Sequence, residues 1–254
     1  MQVTGNNAQL SKNVLSIHFS VDGFSFSTDR VTKFPIDPAC TIPANINRML
    51  ETNPELLSFA GKRTNIIVDT PHFTFVPFEL YEDEQLDAFF QLNYPTVENE
   101  EVLCNVLDRT NVALVFGVNR EVLSLLGQSF PNARILSALS PMTEWLIGES
   151  NKSDSTRMSV LIHADSMDVF VCSKGKLLFV NSFICNNNND RCYFALQVWQ
   201  SLQLDEEKDS MELYVSANVD VLPTEQLRRF VRQVNVTKEI SGMTFPLKTL
   251  YLCE

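Results

Sequence analysis

Glycine is scarce, with 8 residues in 254. Loops that cradle phosphate need glycine so that bare backbone amides can close on the anion, and no GxxxxGK[ST] run occurs in the chain. Histidine is scarcer, at 3, and the six cysteines (Cys40, Cys104, Cys172, Cys185, Cys192, Cys253) form no CxxC pair. Zinc and dithiol redox centres need clustered ligands, so the spacing argues against both. Thiols scattered among apolar neighbours act as small hydrophobes. No apolar run approaches the ~20 residues of a membrane-spanning helix, and no membrane insertion is expected. The opening MQVTGNNAQLSKN has no basic flank leading into an apolar core, so a cytoplasmic location is expected. Positive charge is also in deficit, 20 Lys and Arg against 31 Asp and Glu, net −11. Such a surface repels phosphate backbones, which makes nucleic acid a poor partner.

The remaining composition is that of a folded protein, 44% hydrophobic and 20% charged. Acid is concentrated early: residues 1–150 hold 9 Lys and Arg against 18 Asp and Glu, residues 151–254 hold 11 against 13. That contrast marks two units. A repeat marks them more sharply. LSIHFSVDGFSFS at 15–27 and VLIHADSMDVFVC at 160–172 share Ile-His near the end of an apolar strand, at an offset of 145. A short acidic turn and a second, alternating strand follow each time. Third strands are predicted near Val31–Ile36 and Lys176–Phe183, the latter after a tight turn at Lys174-Gly175-Lys176. A helix follows each meander. The second begins after the polar run Asn186 to Asn189, with Asn189 or Asp190 as its N-cap.

In the second copy, Met211–Ser216 reads as a strand and Pro223–Val234 as a final helix with Leu227, Phe230, Val231 and Val234 inward. The first copy carries extra elements over about 64–138. These are strand Asn65–Asp69, His72–Leu80, a helix from Glu82 to Leu92, a hairpin over Glu101–Val118, helix Arg120–Phe130 and strand Ala133–Ala138. The order resembles the split β-α-β unit of ferredoxin-like subdomains. A four-stranded sheet with both helices on one face is expected. Helix Pro141–Gly148 and the polar linker Glu149–Arg157 close this copy, giving domains 1–152 and 153–254.

Two meander-then-helix halves, the first with an insertion, resemble the α/β actin-like ATPase (ribonuclease-H-like) duplicated fold. The layout is similar to the cytoplasmic domains of pilus and type II secretion assembly proteins, and the overall sequence looks closer still to an uncharacterised Bacteroidetes family assigned the same fold. The resemblance implies an interdomain cleft with an Asp-x-Gly turn after the first strand of each half. There the Asp acts through water on magnesium and the Gly admits phosphate. In this chain the Asp positions hold His18 and His163, and the Gly positions hold Ser20 and Asp165. Asp22 and Asp168 add further acid. Each carboxylate about 4 Å from a phosphate charge costs about 1 kcal/mol in water and roughly 4 near a protein surface. The paired glycines that seat a nucleoside in relatives are replaced by Ser216-Ala217-Asn218.

The cleft residues therefore imply no retained cofactor and no catalytic group. The leading expectation is an interaction or scaffold protein with an unidentified protein partner, on a degenerate ATPase frame. The alternative is a divergent nucleotide-binding switch with weak or no ATP hydrolysis. Paired His18 and His163 would, in the bland case, bond turn backbone. Asp69, His72 and Ser137 or Ser140 offer hydrolase residue types, but neither serine lies in a Gly-x-Ser-x-Gly elbow. Arg228, Arg229 and Arg232 fall on one face of the expected final helix, as a partner-facing or solvated stripe.

Overall fold

In the computed structural model, residues 14–20, 23–28, 30–95, 97–217, 219, 223–239 and 243–253 are described. β1 (Val14–Ser20) buries Leu15, Ile17 and Phe19 on one face, and Ser16 and His18 on the other. Burial of both faces follows from its central place, because strands covered on both sides lose the simple in-out alternation. It pairs antiparallel with β2 (Gly23–Ser27) and parallel with β4 (Arg63–Val68). With β3 (Val31–Phe34) and β8 (Ala133–Ser137) the order is β3-β2-β1-β4-β8. α1 (Ile42–Thr52), started by Thr41 capping the Ala44 amide, makes the crossover from β3 to β4.

The second sheet repeats this plan strand for strand. β9 (Arg157–Ile162), β10 (Ser166–Ser173), β11 (Lys176–Ile184), β12 (Ser210–Val215) and β13 (Gln233–Lys238) run in the order β11-β10-β9-β12-β13. α5 (Asn188–Ser201) replaces α1 in the crossover. Its N-cap is Asn187, whose side chain accepts from the Asn189 and Asp190 amides, so the cap lies two or three residues before the expected one. Lys174 (φ 49) and Gly175 (φ 75) both take positive φ in the β10–β11 turn, the geometry that matches strand twist in a two-residue hairpin.

Between β4 and β8 the chain leaves the first sheet to form β5 (Phe73–Pro77), α2 (Leu86–Asn93), β6 (Glu100–Leu107), β7 (Val112–Asn119) and α3 (Arg120–Ser129). β7 inserts between β5 and β6, a split β-α-β arrangement with three strands rather than the expected four. The outer strands of the expected set, β4 and β8, pair with each other in the first sheet. The helices also lie on opposite faces of β5-β7-β6, not on one. Ala113 and Val115 of β7 pack with Phe90, Leu86 and Phe89 of α2, whereas Leu114, Phe116 and Val118 pack with Val122 and Leu126 of α3. Both sides of β7 are apolar, so each needs a cover.

The expected helix over Pro223–Val234 is a single turn, α6 (Thr224–Leu227). Val234 instead lies on β13, opposite Met211, and Phe230 is exposed. Leu227, Val231 and Val234 satisfy helical spacing, but Gln233-Val-Asn-Val-Thr-Lys238 also alternates and is rich in β-branched residues, and the open edge of β12 selects the strand. A closing helix, α7 (Phe245–Cys253), lies beyond. Its signal is Thr244 followed by Pro246 in the first turn. α7 packs on α4 (Leu139–Ser150) between the two sheets. The polar stretch after α4 is short, since β9 begins at Arg157. Among the described residues, no helix is long and apolar enough to cross a membrane.

Candidate functional site

The carboxyl ends of β1, β4, β9 and β12 converge between the sheets, where open α/β folds place ligands. His18, on β1 and 2% exposed, reaches across this junction. Its Nδ1 lies 2.9 Å from Thr244 Oγ1, just before α7, and its Nε2 lies 2.9 Å from Asp69 Oδ1, just after β4. Nε2–H donates to the Asp69 carboxylate, and Nδ1 faces the Thr244 hydroxyl. Burial alone would raise the Asp69 carboxyl. The charge and hydrogen bond of His18, then His163 and Ser20, outweigh it and hold the pKa below the usual value.

His163 follows β9 and repeats the device. Its Nε2 is 3.0 Å from Asp168 Oδ2, and Ser216 Oγ lies 3.4 Å from its Nδ1. Asp168 on β10 also accepts the hydroxyl of Ser182, its partner on β11. Each histidine thus bonds side chains of other elements. His18, Ser20, His163, Ser216 and Ala217 line one small pocket of about 20 Å³. Lys33 and Glu239 complete its charged lining.

Beside it lies a larger cleft of about 500 Å³, lined by Asp69, Asp165, Asp168, His72 and His163, with Leu139 and Ile184 among its apolar residues. Among the described residues, no Lys or Arg is part of that lining. Asp165 is exposed, and its carbonyl accepts from the Cys185 amide. Asp22 and Asn218 lie outside the described residues.

Four residues here were not singled out from sequence for this role. Asp69 and Thr244 hold His18. Buried Arg191, in the first turn of α5, donates to the His163 and Ala164 carbonyls at 2.9 and 2.8 Å and fixes the β9–β10 turn. Glu239 accepts from the Ala217 amide at 3.2 Å and the Phe245 amide at 3.0 Å, and burial pushes its carboxyl up. The signal for Asp69 and Glu239 was their place one residue beyond a parallel strand.

Asp69, His72 and Ser137 all line the larger cleft, but their hydrogen bonds run to other partners. Asp69 serves His18, His72 Nδ1 bonds Glu100 Oε1 at 3.0 Å, and Ser140 donates to Asn105 at 2.7 Å. The arginine stripe does not form either, because α6 ends before it. Arg228 and Arg229 lie in the turn after α6, where Arg228 donates to the Val234 carbonyl at 3.1 Å. Arg232 sits just before β13 and pairs with Glu207. Among the described residues, no group of three or more His, Cys, Asp or Glu is arranged to hold a metal ion.

Two duplicated sheets, the closing helices packed between them and the insertion in the first define an actin-like ATPase fold. A Bacteroides thetaiotaomicron protein with actin-like ATPase fold and unknown function is similar at 31% identity and a TM-score of 0.85, covering 96% of this chain and 97% of that one. The PilM–PilN type IV pilus biogenesis complex is similar in fold at 12% identity and a TM-score of 0.51, covering 91% and 89%. The cytoplasmic domain of EpsL, from the type II secretion system of Vibrio cholerae, follows at 12% identity and 0.48, covering 94% of each chain. Residues 3–234 match the family model described as protein of unknown function (DUF3822), and the chain belongs to that family. None of the curated proteins matches it.

Proposed function

We propose that this chain is a cytoplasmic protein-interaction module on an actin-like frame that has given up nucleotide chemistry, with 1–152 and 153–254 as its two halves. The observation that carries the reading is the pair of His–Asp contacts at the strand ends. By the resemblance, His18 and His163 take the Asp positions of the two Asp-x-Gly turns, and each bonds a carboxylate, His18 that of Asp69 and His163 that of Asp168. The space left between the histidines is only about 20 Å³, roughly one water by volume. The larger cleft beside it presents Asp69, Asp165 and Asp168, with no Lys or Arg in its lining among the described residues. A triphosphate there would meet like charge, and its desolvation would not be repaid.

The test is thermal unfolding with and without millimolar Mg·ATP, run beside a phosphate-release assay. A ligand at a hundredfold excess over its Kd stabilises the folded state by about 2.7 kcal/mol. An unchanged midpoint and no phosphate release are expected. A magnesium-dependent rise of several degrees would favour a nucleotide-binding switch and sink this reading.

A further inference from the structure

Apart from the insertion, the two halves differ at their corresponding outer strands. β3 has four residues, carries Lys33 and is followed by Pro35. Shortness, lysine and proline are the devices that keep an edge from pairing. At the far edge of the second sheet, β13 is largely polar, with Gln233, Asn235, Thr237 and Lys238. β11 is less protected, although its pairing with β10 skips Leu178 as a bulge near the hairpin end. It runs nine residues, KLLFVNSFI, with its one charge, Lys176, at the hairpin end. Leu177 and Val180 pack to one side of the sheet, and Phe179 and Phe183 to the other. Leu178 and Ile184 are exposed at 50% and 77%.

Among the described residues, β11 pairs only with β10. The Ser182 amide turns instead to the side-chain oxygen of its neighbour Asn181, at 3.0 Å, a local bond that an added strand can replace. The strand does not end in open solvent. Ser182, Phe183 and Ile184 form one wall of the cleft whose other walls bring Asp69, Asp165 and Asp168. We propose that β11 is a strand-addition edge that takes an extended, basic segment of another protein, whose Lys or Arg side chain enters the adjoining carboxylate-lined cleft. Backbone pairing supplies affinity and the cleft supplies selectivity for the cation. A second copy of this chain is the poorer occupant, since each carries a net charge of −11 and the two would repel.

This inference deepens the interaction-module reading and rests on it. The experiment is to pan the full-length protein against a random dodecapeptide display library, then synthesise the enriched peptides with a fluorescein label. Enriched sequences should be net positive, proline-free and rich in β-branched or aromatic residues. Anisotropy should show binding that weakens roughly tenfold between 50 and 500 mM salt as charge is screened. N-methylation of alternate peptide amides should abolish it by removing ladder donors. Asp165→Asn, at an exposed position, should weaken binding up to about fivefold. Hydrogen exchange at 176–184 should slow in the complex. Failure to enrich basic peptides, indifference to N-methylation, protection confined to another surface, or self-association through β11 in sedimentation would each overturn the proposal. The Mg·ATP test reads a different property, so a negative panning result beside an unchanged midpoint would remove this inference and leave the loss of nucleotide chemistry standing.

Discussion

Asp69 shows how one buried carboxylate can tie together elements far apart in sequence. It follows β4, bonds a histidine on β1, and through that ring meets Thr244 at the start of α7. Burial raises its pKa, but His18, His163 and Ser20 together bring it below the ordinary 3.8. A depressed carboxylate adds stability that is complete above its unfolded pKa and lost as pH falls through the folded one. Asp69→Asn should therefore lower stability by about 1.5–3 kcal/mol near neutral pH, the scale of a hydrogen bond to a charged group. The gap between wild type and variant should narrow as pH drops below about 4. Urea denaturation between pH 2.5 and 7 checks this, and a gap that stays constant would refute the assignment. The types of His18 and His163 were legible in sequence, as was their equivalence. Their partners were not, because Thr244 stands 226 residues from His18 and no local pattern announces such a contact.

The hairpins are where local chemistry dictates the element. Lys174-Gly175 gives the β10–β11 turn its positive φ at both positions. A Cβ at Gly175 would collide with the Asn151 side chain, while the Gly175 amide donates to Ser150 at the end of α4. The turn thus docks the second sheet onto the last helix of the first half. Gly175→Ala should cost about 1–2 kcal/mol, the penalty of left-handed backbone for an L-residue, read as a lower urea midpoint at unchanged m-value. An unaltered midpoint would mean that the turn has another conformation available. β13 shows the opposite case. Apolar spacing over Leu227–Val234 fits helix or strand equally, and the decision came from the unpaired side of β12. The arginines went with it, since a stripe at i, i+3 and i+4 exists only on a helix.

At the scale of the molecule, the core does not respect the division between halves. One apolar cluster joins Leu15, Met142 and Leu146 of the first to Leu161, Phe170, Tyr214 and Phe245 of the second. Trp145 on α4 meets Tyr214 edge-on at 5.6 Å, and Tyr214 meets Phe245 at 5.2 Å. Both sheets should unfold in one transition, since neither can expose this cluster without the other. Phe170→Ala, at a fully buried site, should cost about 3–5 kcal/mol and lower the temperature of that single transition. Calorimetry resolving two transitions, with only the later-sequence sheet affected, would show the halves to be energetically independent.

The sequence by itself determined the duplication, the hairpins that open each half, the inserted helices and strands, and the absence of phosphate-binding glycine turns. These follow from period, turn chemistry and residue type, which act over a few neighbouring residues. Only tertiary structure decided where ambiguous segments went. β4 and β8 joined the main sheet because their neighbours there were parallel strands needing partners, and α2 and α3 took opposite faces because β7 is apolar on both. It also decided which groups met in the cleft. Asp69, Glu239, Arg191 and Thr244 became partners of the strand ends through chain crossovers, and contact at that range depends on how whole layers pack rather than on any local pattern.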